Sequence, residues 1–184
     1  MIFRLSQKLA KKLKEGHLPS LPLDENPYAD WSAHLFTADR AQYIIVTNTK
    51  ALYSVVMYGK GITDGGLFID RALSCIREFM EDDGQTFIHR RFIAPASGSV
   101  RFSKALDRSV TGSINELVKF AKVWLEEEEI SPHNVGLKLN DVLLSALARS
   151  KSDFYWKPRE AFKSLCLGDN QPITTSGFPR SNSA

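Results

Sequence analysis

Three runs decide the fold: Trp31-Ser32-Ala33-His34-Leu35-Phe36-Thr37, Gln42-Tyr43-Ile44-Ile45-Val46-Thr47 and Leu52-Tyr53-Ser54-Val55-Val56-Met57-Tyr58. Each is rich in β-branched and aromatic residues, and each is bounded by turn residues. Asp39-Arg40 and Asn48-Thr49-Lys50 separate them. Such short connections join antiparallel neighbours, so the three form a meander. Tyr43 to Val46 is apolar on both faces, which marks a central strand.

Working outward, Met1 to Leu5 reads as a short strand. Ser6 caps a helix over Gln7 to Lys14, with Leu5, Leu9 and Leu13 on its buried side and Gly16 ending it. His17 to Tyr28 carries Pro19, Pro22 and Pro27 and reads as an extended surface connection. After Gly59 to Gly66, Asp64 caps a helix whose stripe is Ile69, Ala72, Leu73, Ile76, Phe79 and Met80. Thr86 to Ile93 alternates weakly and predicts a strand, with Val100 to Ala105 as its partner. Val135, Leu137 and Leu139 alternate as a last strand. Asp141 caps a short helix to Ala148, and Pro158 opens a final helix through Leu165. From Gly168 on, Gly, Pro, Ser, Thr and Asn dominate, which predicts a disordered tail over 168–184 after a single domain over 1–167. The expectation is an α+β domain: a mainly antiparallel sheet of about five or six strands, with about three to five helices packed mainly on one face.

The stretch richest in chemistry is Leu106-Asp107-Arg108-Ser109-Val110-Thr111-Gly112-Ser113-Ile114-Asn115-Glu116. Ser113 to Glu116 reads as a capping box, followed by a stripe of Ile114, Leu117, Val118, Ala121 and Leu125. The free amides of that helix start, with Gly112 allowing close approach and Arg108 adding a fork of donors, describe an anion site. Its ligand-binding candidates are Arg108, Ser109, Gly112, Ser113 and Asn115. The competing reading is that Ser113 and Glu116 satisfy the helix end themselves. The stretch lacks the ending of a P-loop and the spaced glycines of a dinucleotide fold.

The candidates for acid–base work are Asp107, Glu116, Asp30 and His34, with His89 beside them. Ser109 and Ser113 stand in no nucleophile-elbow context. There is no Cys or His cluster with zinc spacing, so no metal site is read, and no cofactor is identified. Lys8, Lys11, Lys12 and Lys14 line the first helix with no acid before Glu15, and Arg90 adds a second basic spot at His89-Arg90-Arg91. These are the nucleic-acid candidates, opposed by the reading of a solvated face and a guarded strand edge. Glu126 to Glu129 ends a helix where the dipole disfavours negative charge, which points to a basic partner, such as the Lys8 to Lys14 face of this or another copy of the chain, against the more ordinary reading of a frayed, solvated helix end.

The 184 residues suit one domain. A net charge of +3 is too small to imply nucleic-acid binding by itself. No apolar run reaches the roughly 18 residues of a membrane span. Cys75 and Cys166 are far apart and fit a reducing, cytoplasmic setting.

Three blocks carry a resemblance: Phe3-Arg4-Leu5-Ser6-Gln7-Lys8-Leu9-Ala10-Lys11-Lys12, Ala29-Asp30-Trp31-Ser32-Ala33-His34-Leu35 and Arg108-Ser109-Val110-Thr111-Gly112-Ser113-Ile114-Asn115-Glu116. They resemble, in order and over Met1 to Leu165, a bacterial family of small hypothetical proteins that carries only a domain-of-unknown-function label. Its members often read Arg-Ser-Val-Leu-Gly-Ser-Met-Asn-Asp at the last block, where this chain has Thr111, Ile114 and Glu116 at the differing places. The resemblance implies a bacterial cytoplasmic protein and carries over no catalytic residue. The functional expectation is therefore a binding or regulatory module with an anion-binding loop at Arg108 to Ser113. The alternatives are a phosphate-ester-processing enzyme or nuclease using the nearby carboxylates, and a nucleic-acid-binding protein using the basic helix.

Overall fold

The computed structural model describes residues 1–127, 130–147 and 156–165. The expected helix end at Ala148, the acids Glu128 and Glu129, Cys166 and the tail over 168–184 lie outside them. The meander forms as read: β2 (Asp30–Ala38), β3 (Ala41–Asn48) and β4 (Ser54–Tyr58) pair antiparallel, Ile44 opposite Leu35 on one side and Met57 on the other. The sheet is then extended by parallel pairing. β1 (Ile2–Leu5) runs parallel to β2, and β5 (Arg101–Lys104) runs parallel to β1. The order is β4-β3-β2-β1-β5, a five-stranded mixed sheet rather than a mainly antiparallel one. β1 lies inside it, and all four of its residues are buried. A charged residue at Arg4 had disguised that position, since an interior strand with both faces covered is ordinarily apolar throughout.

Helices cover both faces, not mainly one. Phe3, Trp31, Ala33, Ile44, Val46 and Val55 point to one side. There they meet α1 (Gln7–Lys12), α2 (Gly65–Asp82) and α6 (Pro158–Lys163) through Leu9, Phe68, Ile76, Phe79 and Phe162. The alternate residues Phe36, Tyr43, Ile45 and Val56 point to the other. These meet α4 (Arg108–Glu127) and α5 (Pro132–Leu139) through Ile114, Leu117, Ala121, Val135 and Leu139. The period-two alternation of strand side chains produces this division.

Two expected strands are helical. Thr86 to Ile93 forms α3 (Thr86–Ile88) continued by a π-helical turn (His89–Ile93), closed by the Ala94 amide donating to His89 O at 2.9 Å. The weak alternation of that run equally fits a turn that buries only Ile93. β5 therefore pairs with β1 instead. Val135, Leu137 and Leu139 lie on α5, because Pro132 at its first position and the Ser131 cap start a helix. Val135 and Leu139 are four apart and Leu137 lies two from each, so the pattern was compatible with both periods. Between α5 and α6 the described residues hold a short 3-10 helix (Ser145–Leu147) in place of the helix expected after Asp141.

Candidate functional site

β1 and β5 end side by side, with Leu5 in register with Lys104. From Leu5 the chain turns at Ser6, whose Oγ accepts from the Leu9 amide, and enters α1 on one face of the sheet. From Lys104 it passes to α4 on the opposite face. Neighbouring parallel strands whose connections leave to opposite faces open a crevice at their carboxyl ends. Here that crevice is a cleft of about 630 Å³ between α1, the turn after it and the end of β5.

Its chemistry comes mainly from Lys11, His17 and Lys104. All three are exposed, and among the described residues neither Lys11 nor Lys104 has an acidic partner. Lys12, one residue on, is committed to Gln42 Oε1 at 2.7 Å. Glu15 is the one acid of the lining, and its carboxylate packs beside Gly65 at the positive end of α2. The wall is fixed by backbone and hydroxyl bonds. Lys14 takes a left-handed φ of 59°, and the Glu15 amide donates to Ala10 O, which folds the chain back along α1. The Lys104 amide and the Ser103 hydroxyl both donate to Pro19 O, at 3.0 and 3.1 Å.

The connection after this turn is pinned by a buried ion pair. Arg4 Nε and Nη2 donate to the two oxygens of Asp30 at 2.7 Å each, and its remaining donors reach Leu21 O and Pro22 O. Both side chains are 1% exposed. Asp30, a carboxylate candidate, thus sits beneath the strap, with the Asp24 amide also donating to it at 3.0 Å.

The Leu106 to Glu116 stretch is built differently from the capping box read there. α4 begins at Arg108, and Asp107 is its cap, accepting from the Val110 amide at 2.9 Å. Ser113 lies inside the helix and donates to Ser109 O at 3.1 Å. Glu116 is exposed and paired with Lys119 at 2.7 Å. The amides of Ser113 to Glu116 are therefore not a helix start, and the first turn already carries the Asp107 carboxylate. Arg108, Ser109 and Gly112 are exposed on that turn. Asn115 meets His34, which is buried under α4, and burial holds the His34 pKa below its ordinary value against the opposing hydrogen bond. The structure thus brings His34 to Asn115. Asp30 and Glu116 are engaged with separate partners, and Asp107 caps its own helix.

Lys8 is exposed on α1 and Lys14 on the turn after it, and Arg90 stands on the π-helical turn of the segment after α2. Of the basic candidates, Lys11 is the one that lines the crevice. Sequence reasoning missed Lys104 and His17. Lys104 was visible as the end of a strand, but only parallel pairing with β1 gives that end a meaning. Among the described residues no group of three His, Cys, Asp or Glu is arranged to hold a metal ion, and no helix is long and apolar enough to cross a membrane.

A family model described as a domain of unknown function, DUF6933, matches residues 2–161. No curated protein and no solved structure matches the chain.

Proposed function

The chain belongs to the DUF6933 family, and we propose that it works as a binding module that holds a small anionic ligand in the crevice between β1 and β5. One observation supports this reading: two adjacent parallel strands deliver Lys104 and the start of α1 to a single cleft, and Lys11 and Lys104 enter it without acidic partners among the described residues. An unneutralised lysine pair in a cleft attracts negative charge, because low-dielectric walls focus the field of both ammonium groups. Lysine serves such a ligand as a mobile point charge, so the class is a phosphate or a compact polycarboxylate rather than a planar group gripped at two points. His17 adds a donor to the same rim. The reading involves no catalytic step. Asp30 is bonded to Arg4, Asp107 caps α4 and Glu116 pairs with Lys119, so each carboxylate of the enzyme alternative already has a local partner.

Thermal unfolding against phosphate, pyrophosphate and citrate tests it. A ligand of the folded state raises the transition in proportion to ln(1 + [L]/Kd). The expected result is a concentration-dependent rise with at least one of these anions, which Lys104→Ala reduces. No rise with any of them, or an equal rise in Lys104→Ala, overturns it.

A further inference from the structure

A second cleft lies near the opposite end of the parallel strands, where the chain leads into β2. It measures about 580 Å³ and is lined by Tyr28, Gln85, Phe87, Ile88, Phe92 and Lys163. Its walls are flat and aromatic. Phe92 stacks on Tyr28 with centroids 4.8 Å apart and planes 12° from parallel, and Phe87 stands edge-on to Phe92 at 6.5 Å. Phe87 is 73% exposed, the most exposed large apolar side chain among the described residues.

The polar groups are as specific as the walls. Gln85 is 6% exposed, and its Nε2 donates to Asp83 O at 3.3 Å. Its Oε1 accepts no hydrogen bond from the described residues and is open to solvent, so it can take a donor that enters the cleft. Lys163, which is half-exposed and pairs with Glu160 at 3.5 Å, supplies a cation at the cleft, and Arg91, outside the cleft's lining, places its guanidinium 5.8 Å from the centre of the Phe92 ring. From Gly84 to Leu106 the chain contains Arg90, Arg91, Arg101 and Lys104 and no Asp or Glu. The π-helical turn is what sets Phe92 and Arg91 at this position, and such turns recur at functional sites.

A ligand that answers all of these features has a planar ring with an N–H donor on its edge and an anionic group beside it. We propose that this cleft binds a nucleobase carrying a phosphate, the base against Phe87 and Phe92, its donor edge on Gln85 and the phosphate toward Lys163. Base stacking on an aromatic side chain tolerates any base, since each has a π-face, and the neighbouring cations suit the phosphate. The same chemistry comes from a free mononucleotide or from one residue of a single strand.

The test titrates the full chain with uridine monophosphate by calorimetry and with a labelled ten-residue oligothymidylate by anisotropy. Inorganic phosphate and phenylacetate run alongside. Binding of the mononucleotide identifies the free nucleotide, and binding of the oligomer alone identifies the strand. In either case Phe87→Ala, a change at an exposed position, weakens binding by at least about fivefold, Phe87→Trp restores it, and Lys163→Ala weakens it further. The proposal is overturned if neither probe binds, if Phe87→Ala leaves affinity unchanged, or if, in a Lys104→Ala background that disables the β1–β5 crevice, phosphate or phenylacetate binds as tightly as the nucleotide.

Discussion

The side-chain amide of Asn140 pairs with both backbone groups of Ser54: Oδ1 accepts from the Ser54 amide at 2.8 Å, and Nδ2 donates to the Ser54 carbonyl at 2.9 Å. Asn140 thereby occupies the place of a further strand at the edge of β4. An open edge is a site for pairing with other chains, and covering it is one way that proteins avoid this. Asn140→Ala leaves both buried groups of Ser54 unsatisfied, and each such group costs about 1–3 kcal/mol. The expected loss in a urea titration is at least about 2 kcal/mol, together with greater aggregation. Asn140→Asp is also destabilising, because a carboxylate cannot donate to the Ser54 carbonyl.

Two glycines predict opposite signs for one substitution. Gly136 brings α5 close to α2, and a β-carbon there would lie 2.7 Å from Phe79 Cε2 and 3.4 Å from Ser54 O. Gly136→Ala is expected to destabilise by about 1–3 kcal/mol through overpacking, despite alanine's better helix propensity. Gly112 lies within α4 with nothing within 4 Å of a β-carbon. Gly112→Ala is expected to stabilise by about 0.5–1 kcal/mol. Thermal unfolding of the two variants checks both signs.

Breaking the Arg4–Asp30 pair leaves an unpaired charge in the core. Asp30→Asn should therefore cost about 3–5 kcal/mol, far more than a surface pair. Arg4→Met combined with Asp30→Leu should cost less than the sum of the two single changes, because the second removes the orphaned charge left by the first. A denaturant double-mutant cycle measures the coupling.

His34 gives the pH prediction. Burial lowers its pKa below the ordinary 6.5, so between the folded value and 6.5 the unfolded chain holds a proton that the folded chain does not. Stability contributed by this group is present above 6.5 and is lost as pH falls through that window. His89 is shifted in the same direction, mainly by burial. His34→Gln should flatten part of the acid-side loss relative to the original chain, and adding His89→Gln should flatten more. Denaturant midpoints between pH 7 and 5 measure this directly.

A thiol prediction follows from the same cause. Burial pushes Cys75 up to about 11, so at pH 8 it is almost entirely protonated. In a Cys166→Ser background, Cys75 should react with a maleimide far more slowly in the folded chain than in urea. Equal rates would contradict the burial of that thiol.

The meander was legible because Tyr43 to Val46 and its short turns constrain pairing locally. The parallel half was not, because the neighbours of Phe3 are Trp31 and Phe102, and nothing local to Met1–Leu5 encodes either partner. Thr86 to Ile93 and Pro132 to Leu139 misled for another reason: a few apolar residues fit both periods, and tertiary burial chose the helix. The start of α4 was misplaced because Ser113 and Asp107 are both competent caps, and the earlier one adds more than a turn of helix. At the candidate crevice, Lys11 was visible as a free cation. Lys104 was not, since its relation to Lys11 exists only once β5 lies beside β1.

Backbone amide chemical shifts recorded during a pyrophosphate titration show whether the crevice between β1 and β5 receives an anion. Saturable shifts confined to Gln7, Lys11, Gly16, His17, Lys104 and Ala105 are expected, and Lys104→Ala should abolish them. Shifts that gather instead around Arg108 to Ser113, or none at all, would contradict anion binding in the crevice.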